Sequence, residues 1–229
     1  MLLFLKSSSK RVKNEKVQDI DDDLQNNKEV ATASSSSTST SLTVWRKSLV
    51  FSCNGFTVIG SDGSLVFRVD NYSGHPHQII LMDGHGNPIL TICRHKEKLR
   101  LVDNWLIYEG DIEGHSAAKI SSKKPIFCVR KQKKMLQGNL KVLAHVYRGG
   151  ISDRRLVYVI EGSYVHRSCK VFDESRRMVV AEIKKKQSTV SHGGVCVSFG
   201  LEVFVLVVRQ GFDSGFAMAM VLLLDQMFS

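Results

Sequence analysis

From Leu42 onward the chain is a series of short apolar runs, rich in β-branched and aromatic residues, that alternate with turn-forming residues. Several runs show the two-residue period of a half-buried strand: Leu65, Phe67 and Val69 share one face, and Arg68 and Asp70 share the other. The Asp62-Gly63 pair before this run indicates a hairpin, because glycine supplies the positive φ that tight turns require. Many short strands joined by hairpins predict an all-β domain, either an antiparallel sandwich or a barrel.

The strand predictions follow this pattern along the whole domain. A glycine-rich turn over 83–88 and a turn at Asp103-Asn104 separate neighbouring runs. Within one strand, Val179, Ala181 and Ile183 share the face that we expect to point into the domain. The predicted strands cover residues 56–59, 64–69, 79–82, 89–93, 99–102, 105–108, 126–130, 140–146, 164–172, 178–184, 195–199 and 203–208.

The C-terminal segment from Phe216 to Phe228 breaks the strand pattern, since it is apolar on nearly every side. Its alanine, methionine and leucine content favours a helix, which Asp213 or Ser214 can cap. Such a helix spans about 20 Å, short of the roughly 30 Å hydrocarbon core of a bilayer. The segment is therefore either a helix buried inside a β-barrel, which its length favours, or a truncated membrane anchor.

Residues 1–41 differ from the rest of the chain. They include a run of serine and threonine from Ser34 to Ser41 and have few apolar residues to bury, so we predict a disordered leader before a domain over 42–229. The apolar start, Met1 to Leu5, is too short for the roughly 7–15-residue core of a signal peptide. We therefore expect no transmembrane span and an intracellular location: cytoplasm, nucleus or both, with the plasma-membrane surface as a further place.

Charge is distributed unevenly between these two parts. The chain of 229 residues has 32 basic and 22 acidic side chains, and the leader holds six of each, so the net charge of +10 belongs to the domain. A body this basic is attracted to polyanions such as lipid headgroups and nucleic acid. The five cysteines form no C-x-x-C pair, and we predict that they are buried, reduced thiols.

Motifs of common catalytic sites do not occur in the sequence. It has no Walker loop, no Gly-x-Gly-x-x-Gly after a strand and no Gly-x-Ser-x-Gly elbow. The His75-Pro76-His77 pair lacks a third ligand at metal-site spacing. His85 falls in a predicted turn and His166 in a predicted strand, and we interpret both as structural rather than catalytic histidines. We therefore predict a protein that is not an enzyme, without catalytic residues, cofactor or metal.

Basic clusters are the remaining candidates for function. Aromatic residues of the kind that stack bases are sparse among them, so anionic phospholipid headgroups are favoured over single-stranded nucleic acid, while contact with duplex phosphates stays open. On the strand over 178–184, Lys184 and Lys186 are expected to point to solvent, with Lys185 at the strand end. The predicted lipid-binding residues are Lys184, Lys185, Lys186, Arg130, Lys131, Lys133 and Lys134.

A series of short motifs follows in a fixed order along the domain. The motifs are Trp45-Arg46-Lys47, Asn54-Gly55-Phe56, Phe67-Arg68-Val69-Asp70, Asp103-Asn104-Trp105, Glu161-Gly162-Ser163-Tyr164, Arg167-Ser168-Cys169, Ala181-Glu182-Ile183, Gly211-Phe212-Asp213 and Leu224-Asp225-Gln226. Together with the closing apolar helix, their order resembles the plant LURP-one-related proteins of the Tubby C-terminal-like superfamily over about residues 42–228. One position departs from the family pattern: Gln210 stands where the family usually has proline before the Gly-Phe-Asp turn.

This resemblance implies a Tubby-like antiparallel barrel of twelve strands closed around a central hydrophobic C-terminal helix. It also implies kinship with phospholipid scramblases and with Tubby proteins that bind phosphoinositides. We accordingly expect a monomeric, non-enzymatic binding or adaptor protein in plant defence-related signalling that contacts anionic phospholipids, with protein partners unknown. Two alternatives stay open: a membrane-tethered or nuclear, transcription-linked nucleic-acid-binding protein, and a scramblase-like lipid-mobilising protein.

Overall fold

A computed structural model describes residues 39–51, 53–70, 78–96, 103–112, 123–132, 141–153, 155–187 and 200–229. These residues form twelve strands and one helix. The strands are β1 (Ser39–Trp45), β2 (Phe56–Ile59), β3 (Leu65–Val69), β4 (Gln78–Asp83), β5 (Pro88–Lys96), β6 (Asp103–Glu109), β7 (Phe127–Lys131), β8 (Val142–Arg148), β9 (Leu156–Ser163), β10 (Ser168–Asp173), β11 (Met178–Lys185) and β12 (Val203–Arg209), and the helix is α1 (Ser214–Phe228).

The strands form a closed antiparallel barrel in which each strand pairs with its neighbours in sequence. Closure comes from β1, which pairs with β2 on one side and with β12 on the other, in a register that runs from Ser39 opposite Arg209 to Trp45 opposite Val203. The all-β fold and the Tubby-like barrel predicted from the sequence are thus confirmed. Residues 39–41, which the sequence prediction assigned to the leader, lie in β1, and the rest of the leader is outside the described residues.

Helix α1 occupies the interior of the barrel. Its side chains from Phe216 to Leu224 are at most 5% exposed, and they pack in one cluster with the inward residues of the strands. Asp213 caps the helix: its backbone is extended and its carboxylate accepts a hydrogen bond of 2.6 Å from the Phe216 amide. Burial in the barrel therefore explains the all-round apolar helix, and the anchor alternative is wrong for this segment. Within the described residues, no helix has both the length and the apolar character that a membrane span requires.

Two strand predictions are wrong around the hairpin of β9 and β10. The predicted strand over 164–172 begins only at Ser168, because residues 164–167 form the turn between β9 and β10, and His166 lies in that turn. The prediction also omits β9, the strand before the turn. Gly162, the next-to-last residue of β9, has φ +116, and a Cβ there would meet the Ser168 carbonyl oxygen at 2.1 Å. Tyr164, the first residue of that turn, is buried, and its hydroxyl belongs to a hydrogen-bonded network described below.

Residues Asp103 and Asn104, predicted as a turn, are instead part of β6. They pair with Lys96 and His95 of β5, and Asn104 is buried. On β11, a register shift opposite Val171 and Phe172 places Val180 inside, whereas Val179 is only half-buried. An added residue in one strand reverses the faces beyond it, which alternation alone cannot predict. The predicted strands over 99–102 and 195–199 and the histidine pair at 75–77 lie outside the described residues.

The cysteines largely behave as predicted. Cys93, Cys128 and Cys169 are buried free thiols, whereas Cys53 is only half-buried, because it follows an exposed loop. Cys196 lies outside the described residues. Burial raises the pKa of Cys93 to about 11 and that of Cys169 to about 12. These two thiols are therefore protonated and unreactive at neutral pH.

Candidate functional site

Several loops converge at the end of the barrel where α1 terminates. The register of Trp45 with Val203, and of Lys185 with Phe204, places the end of β1, the end of β11 and the start of β12 at one level. The turn over 164–167 lies at the same level, since Ser168 pairs with Lys184. We call this the rim: residues 45–51, 164–167, 184–186 and 200–202, contributed by neighbouring strands.

Exposed apolar side chains are concentrated on this rim. Of the seven large hydrophobic residues that are exposed in the described chain, six lie here and only Met178 lies at the opposite end. Phe51 is the most prominent at 94% exposed, and its two predecessors in the loop are exposed too. An apolar cluster of this kind on a surface marks an interaction site. The six residues are Trp45, Leu49, Val50, Phe51, Val165 and Leu201.

Lysines flank the apolar rim residues. Lys184 and Lys185 are exposed at the end of β11, although Lys184 also forms an ion pair with Glu182. Lys186 is half-buried and donates a hydrogen bond of 3.0 Å to the Thr43 hydroxyl. The ammonium of Lys47 lies 5.3 Å from the centre of the Trp45 ring. The predicted lipid-binding lysines at the end of β11 therefore lie beside the apolar residues of the rim. Lys184 and Lys185 are more accessible than Lys186.

The second predicted group lies on β7, four strands from β11 around the barrel. Arg130 lies 4.5 Å from the Tyr147 ring centre and donates to the Ile151 carbonyl. Lys131 donates to the Met227 carbonyl, and its ammonium lies 4.3 Å from the Phe228 ring centre. Both side chains thus make contacts within the fold, and Lys131 satisfies a carbonyl in the last turn of α1. Lys133 and Lys134 lie outside the described residues.

Beneath the rim lies a buried carboxylate, Asp225, in the last turn of α1. Its oxygen Oδ1 lies 3.1 Å from Arg46 Nε, and it accepts hydrogen bonds from the Tyr164 hydroxyl at 3.1 Å and the Ser229 hydroxyl at 2.7 Å. Burial, and then the charge of Asp225, raises the pKa of Tyr164 well above its ordinary value, so that this hydroxyl stays protonated and donates. The network attaches two rim segments to the end of the helix.

Arg167 extends this attachment to a third segment. Its guanidinium carbon lies 4.2 Å from the Tyr164 ring centre and 4.6 Å from that of Phe204, and Nε donates to the Leu201 carbonyl at 2.9 Å. The side chain is buried, and its backbone has φ +49. These contacts therefore attach the loops that carry the exposed apolar residues to the core of the barrel.

Sequence reasoning missed both the apolar rim and the network beneath it. The one local signal was the continuous run Leu49-Val50-Phe51, which follows β1 without the alternation of a strand. The sequence could not show that this run shares a surface with Val165 and Leu201, because these residues belong to segments that are far apart in the chain. No group of three or more potential metal ligands occurs in the described part of the chain.

Comparison with known proteins agrees with this architecture. Two relatives from Arabidopsis thaliana are Protein LURP-one-related 17, 46% identical over the full length of both chains, and Protein LURP-one-related 8, 44% identical over 82% of this chain and 86% of its own. An X-ray structure of another Arabidopsis thaliana protein has the same fold, with a TM-score of 0.53 at 20% identity over 82% of this chain and 91% of its own. The LURP-one-related family model matches residues 40–225. The chain belongs to the LURP-one-related family.

Proposed function

We propose that this protein is a non-enzymatic binding module that docks on anionic phospholipid surfaces through the rim. The observation that carries the proposal is that six of the seven exposed large hydrophobic residues of the described chain lie at one end of the barrel, beside Lys47, Lys184 and Lys185. The wider role that we propose, following the family resemblance, is that of an adaptor in defence-related plant signalling.

The two kinds of rim residue suit a bilayer interface for different reasons. Apolar side chains gain about 25 cal/mol for each Å² removed from water, so Phe51 and Leu49 favour burial among acyl chains and headgroups. Each lysine near an anionic membrane contributes about 1 kcal/mol, and salt screens this attraction. A surface with both features binds anionic bilayers more tightly than neutral ones, and part of the binding survives high salt.

Vesicle co-sedimentation tests this proposal. We expect wild-type protein to pellet with phosphatidylcholine vesicles that contain phosphatidylserine or a phosphoinositide, and much less with phosphatidylcholine alone. Phe51→Ser should weaken this binding at least fivefold, because it removes the most exposed apolar side chain of the rim. Met178→Ser, an exposed apolar position at the opposite end, is the matched control and should bind like wild type.

Two further assays, of duplex DNA binding and of lipid movement between leaflets, separate the alternatives. If wild-type protein does not pellet with anionic vesicles but binds duplex DNA in a salt-dependent manner, the membrane proposal is wrong and the nucleic-acid alternative gains support. If it binds vesicles and also moves fluorescent lipid between leaflets, it is a lipid-mobilising protein rather than a binding module. Binding without lipid movement supports the proposal as stated.

A further inference from the structure

A cavity of about 660 Å³, partly open to solvent, lies at the other end of the barrel, where α1 begins. It is bounded by the first turn of the helix and by residues of β3, β5, β6, β7 and β9. Its position opposite the rim makes it independent of the proposed membrane contact. Its lining includes Ile126 and the aromatic residues Phe127, Tyr158, Phe212 and Phe216.

Four aromatic rings form one wall of this cavity. Phe127 stacks on Phe216 with 4.2 Å between ring centres, and Tyr158 meets Phe212 edge to face at 5.3 Å. Phe212 and Phe216 lie 5.8 Å apart, so the two pairs are continuous. Of the four rings, only that of Phe216 belongs to a fully buried residue. This wall therefore presents aromatic surface that the protein's own side chains leave partly uncovered.

The other groups limit what the cavity can accept. Phe67, Ile89 and Leu90 continue the apolar lining on the barrel side. The charged groups among the described lining residues are the carboxylates of Glu109 and Asp213, and that of Asp213 is engaged as the helix cap. Carboxylates at the site oppose the entry of an anion.

The core side chains of α1 and of the strands are almost fully buried, as in a well-packed protein interior. A cavity of about 660 Å³ at the end of this core is within the size range of small-molecule sites. Aromatic walls favour ligands whose rings can stack on them or meet them edge to face. We propose that this cavity binds an uncharged, planar aromatic small molecule.

Fluorescence titration with the uncharged probe N-phenyl-1-naphthylamine tests the proposal on the full chain. We expect saturable binding of one probe per chain. Phe212→Ala, which removes one ring of the wall, should weaken it at least fivefold, and so should Ile126→Trp, which fills part of the volume. The sulfonated analogue 8-anilinonaphthalene-1-sulfonate has the same rings with an added anionic group, and it should bind at least threefold more weakly.

Two control variants locate the binding. Met178→Ala alters an exposed apolar residue at the same end but outside the cavity, and Phe51→Ala alters the rim; both should bind the probe like wild type. The proposal is overturned if wild type shows no saturable binding, if both cavity variants fold and bind unchanged, if Phe51→Ala is the variant that loses binding, or if the sulfonated probe binds more tightly. Circular dichroism and thermal melting establish that each variant is folded. Because vesicle binding is measured separately, failure here leaves the rim proposal intact, and the reverse also holds.

Discussion

Arg46 and Asp225 form an ion pair at the end of the barrel although 179 positions separate them in the chain. Arg46 follows β1 directly, and Asp225 lies in the last turn of α1, so the pair joins the barrel wall to its central helix. Asp225 is 1% exposed, whereas the Arg46 side chain keeps 34% of its surface. A buried carboxylate of this kind requires its partners, because an unpaired buried charge is far more costly than an exposed one.

Asp225→Ala is therefore expected to destabilise the protein by about 3 kcal/mol, since it leaves Arg46 and Tyr164 without their shared acceptor. Urea unfolding followed by circular dichroism measures this change. Glu202→Gln is the matched control: its carboxylate is exposed and lies 3.6 Å from Arg46, so it should change stability by less than about 0.5 kcal/mol. Equal effects of the two variants would mean that the buried pair does not stabilise the fold.

Leu223→Asp tests the position of α1. Leu223 is completely buried, and a carboxylate there has no partner within the apolar core, so we expect the domain to unfold, at a cost of several kcal/mol. Gln226→Asp on the same helix, at a half-buried position, should be much milder. Far-ultraviolet circular dichroism and gel filtration distinguish the two. A folded, soluble Leu223→Asp variant would contradict the placement of the helix in the core.

Two deletions locate the start of the domain. Removal of residues 1–36 should leave stability within about 0.5 kcal/mol, because this segment has few apolar residues to bury. Removal of residues 1–41 should cost about 2 kcal/mol more, since it deletes the pairing of Ser39, Thr40 and Ser41 with β12. Thermal melting of both deletions decides between a boundary at Ser39 and one at Leu42.

Charge reversal on β11 tests which lysines contact lipid. Lys184→Glu with Lys185→Glu should weaken binding to phosphoinositide vesicles at least tenfold at low salt, because the change removes attraction and adds repulsion. We choose Lys185 over Lys186 since Lys186 is engaged with Thr43. The control, Arg176→Glu with Arg177→Glu, changes the net charge equally at the other end of the same hairpin. Equal losses would indicate attraction by net charge alone rather than by the rim.

His145 predicts a pH dependence of stability. Burial lowers the pKa of this half-buried histidine on β8 below 6.5, although the charge of Glu174 opposes the shift. Below pH 6.5 the unfolded chain then binds more protons than the folded one, so stability falls as the pH is lowered from about 7 towards 5. His145→Gln should make the free energy of unfolding less dependent on pH in this range. Urea unfolding at several pH values measures this dependence, and an unchanged slope in the variant would contradict the lowered pKa.

Local pattern determined the main features of the fold. Alternating apolar positions such as Leu65, Phe67 and Val69 predict a strand, and the Asp62-Gly63 turn predicts its hairpin, because both depend on residues that are close in sequence. The all-round apolar segment that ends the chain predicts a buried helix for the same reason. These features needed no knowledge of distant contacts, and the family resemblance supplied the closed barrel that the pattern alone left open beside a sandwich.

The tertiary structure alone decided which residues form the rim and which charges remain available there. Val165, Leu201 and the loop after β1 come together only because β1 pairs with β12 and closes the barrel. Closure also places the exposed Lys131 against the end of α1 and the buried Asp225 beside Arg46, although in the sequence both residues look like ordinary surface charges. Contacts between residues far apart in the chain depend on register, and a single added residue in a strand changes that register. For this reason sequence predicted the architecture of this protein, while the location of its candidate sites had to come from the fold.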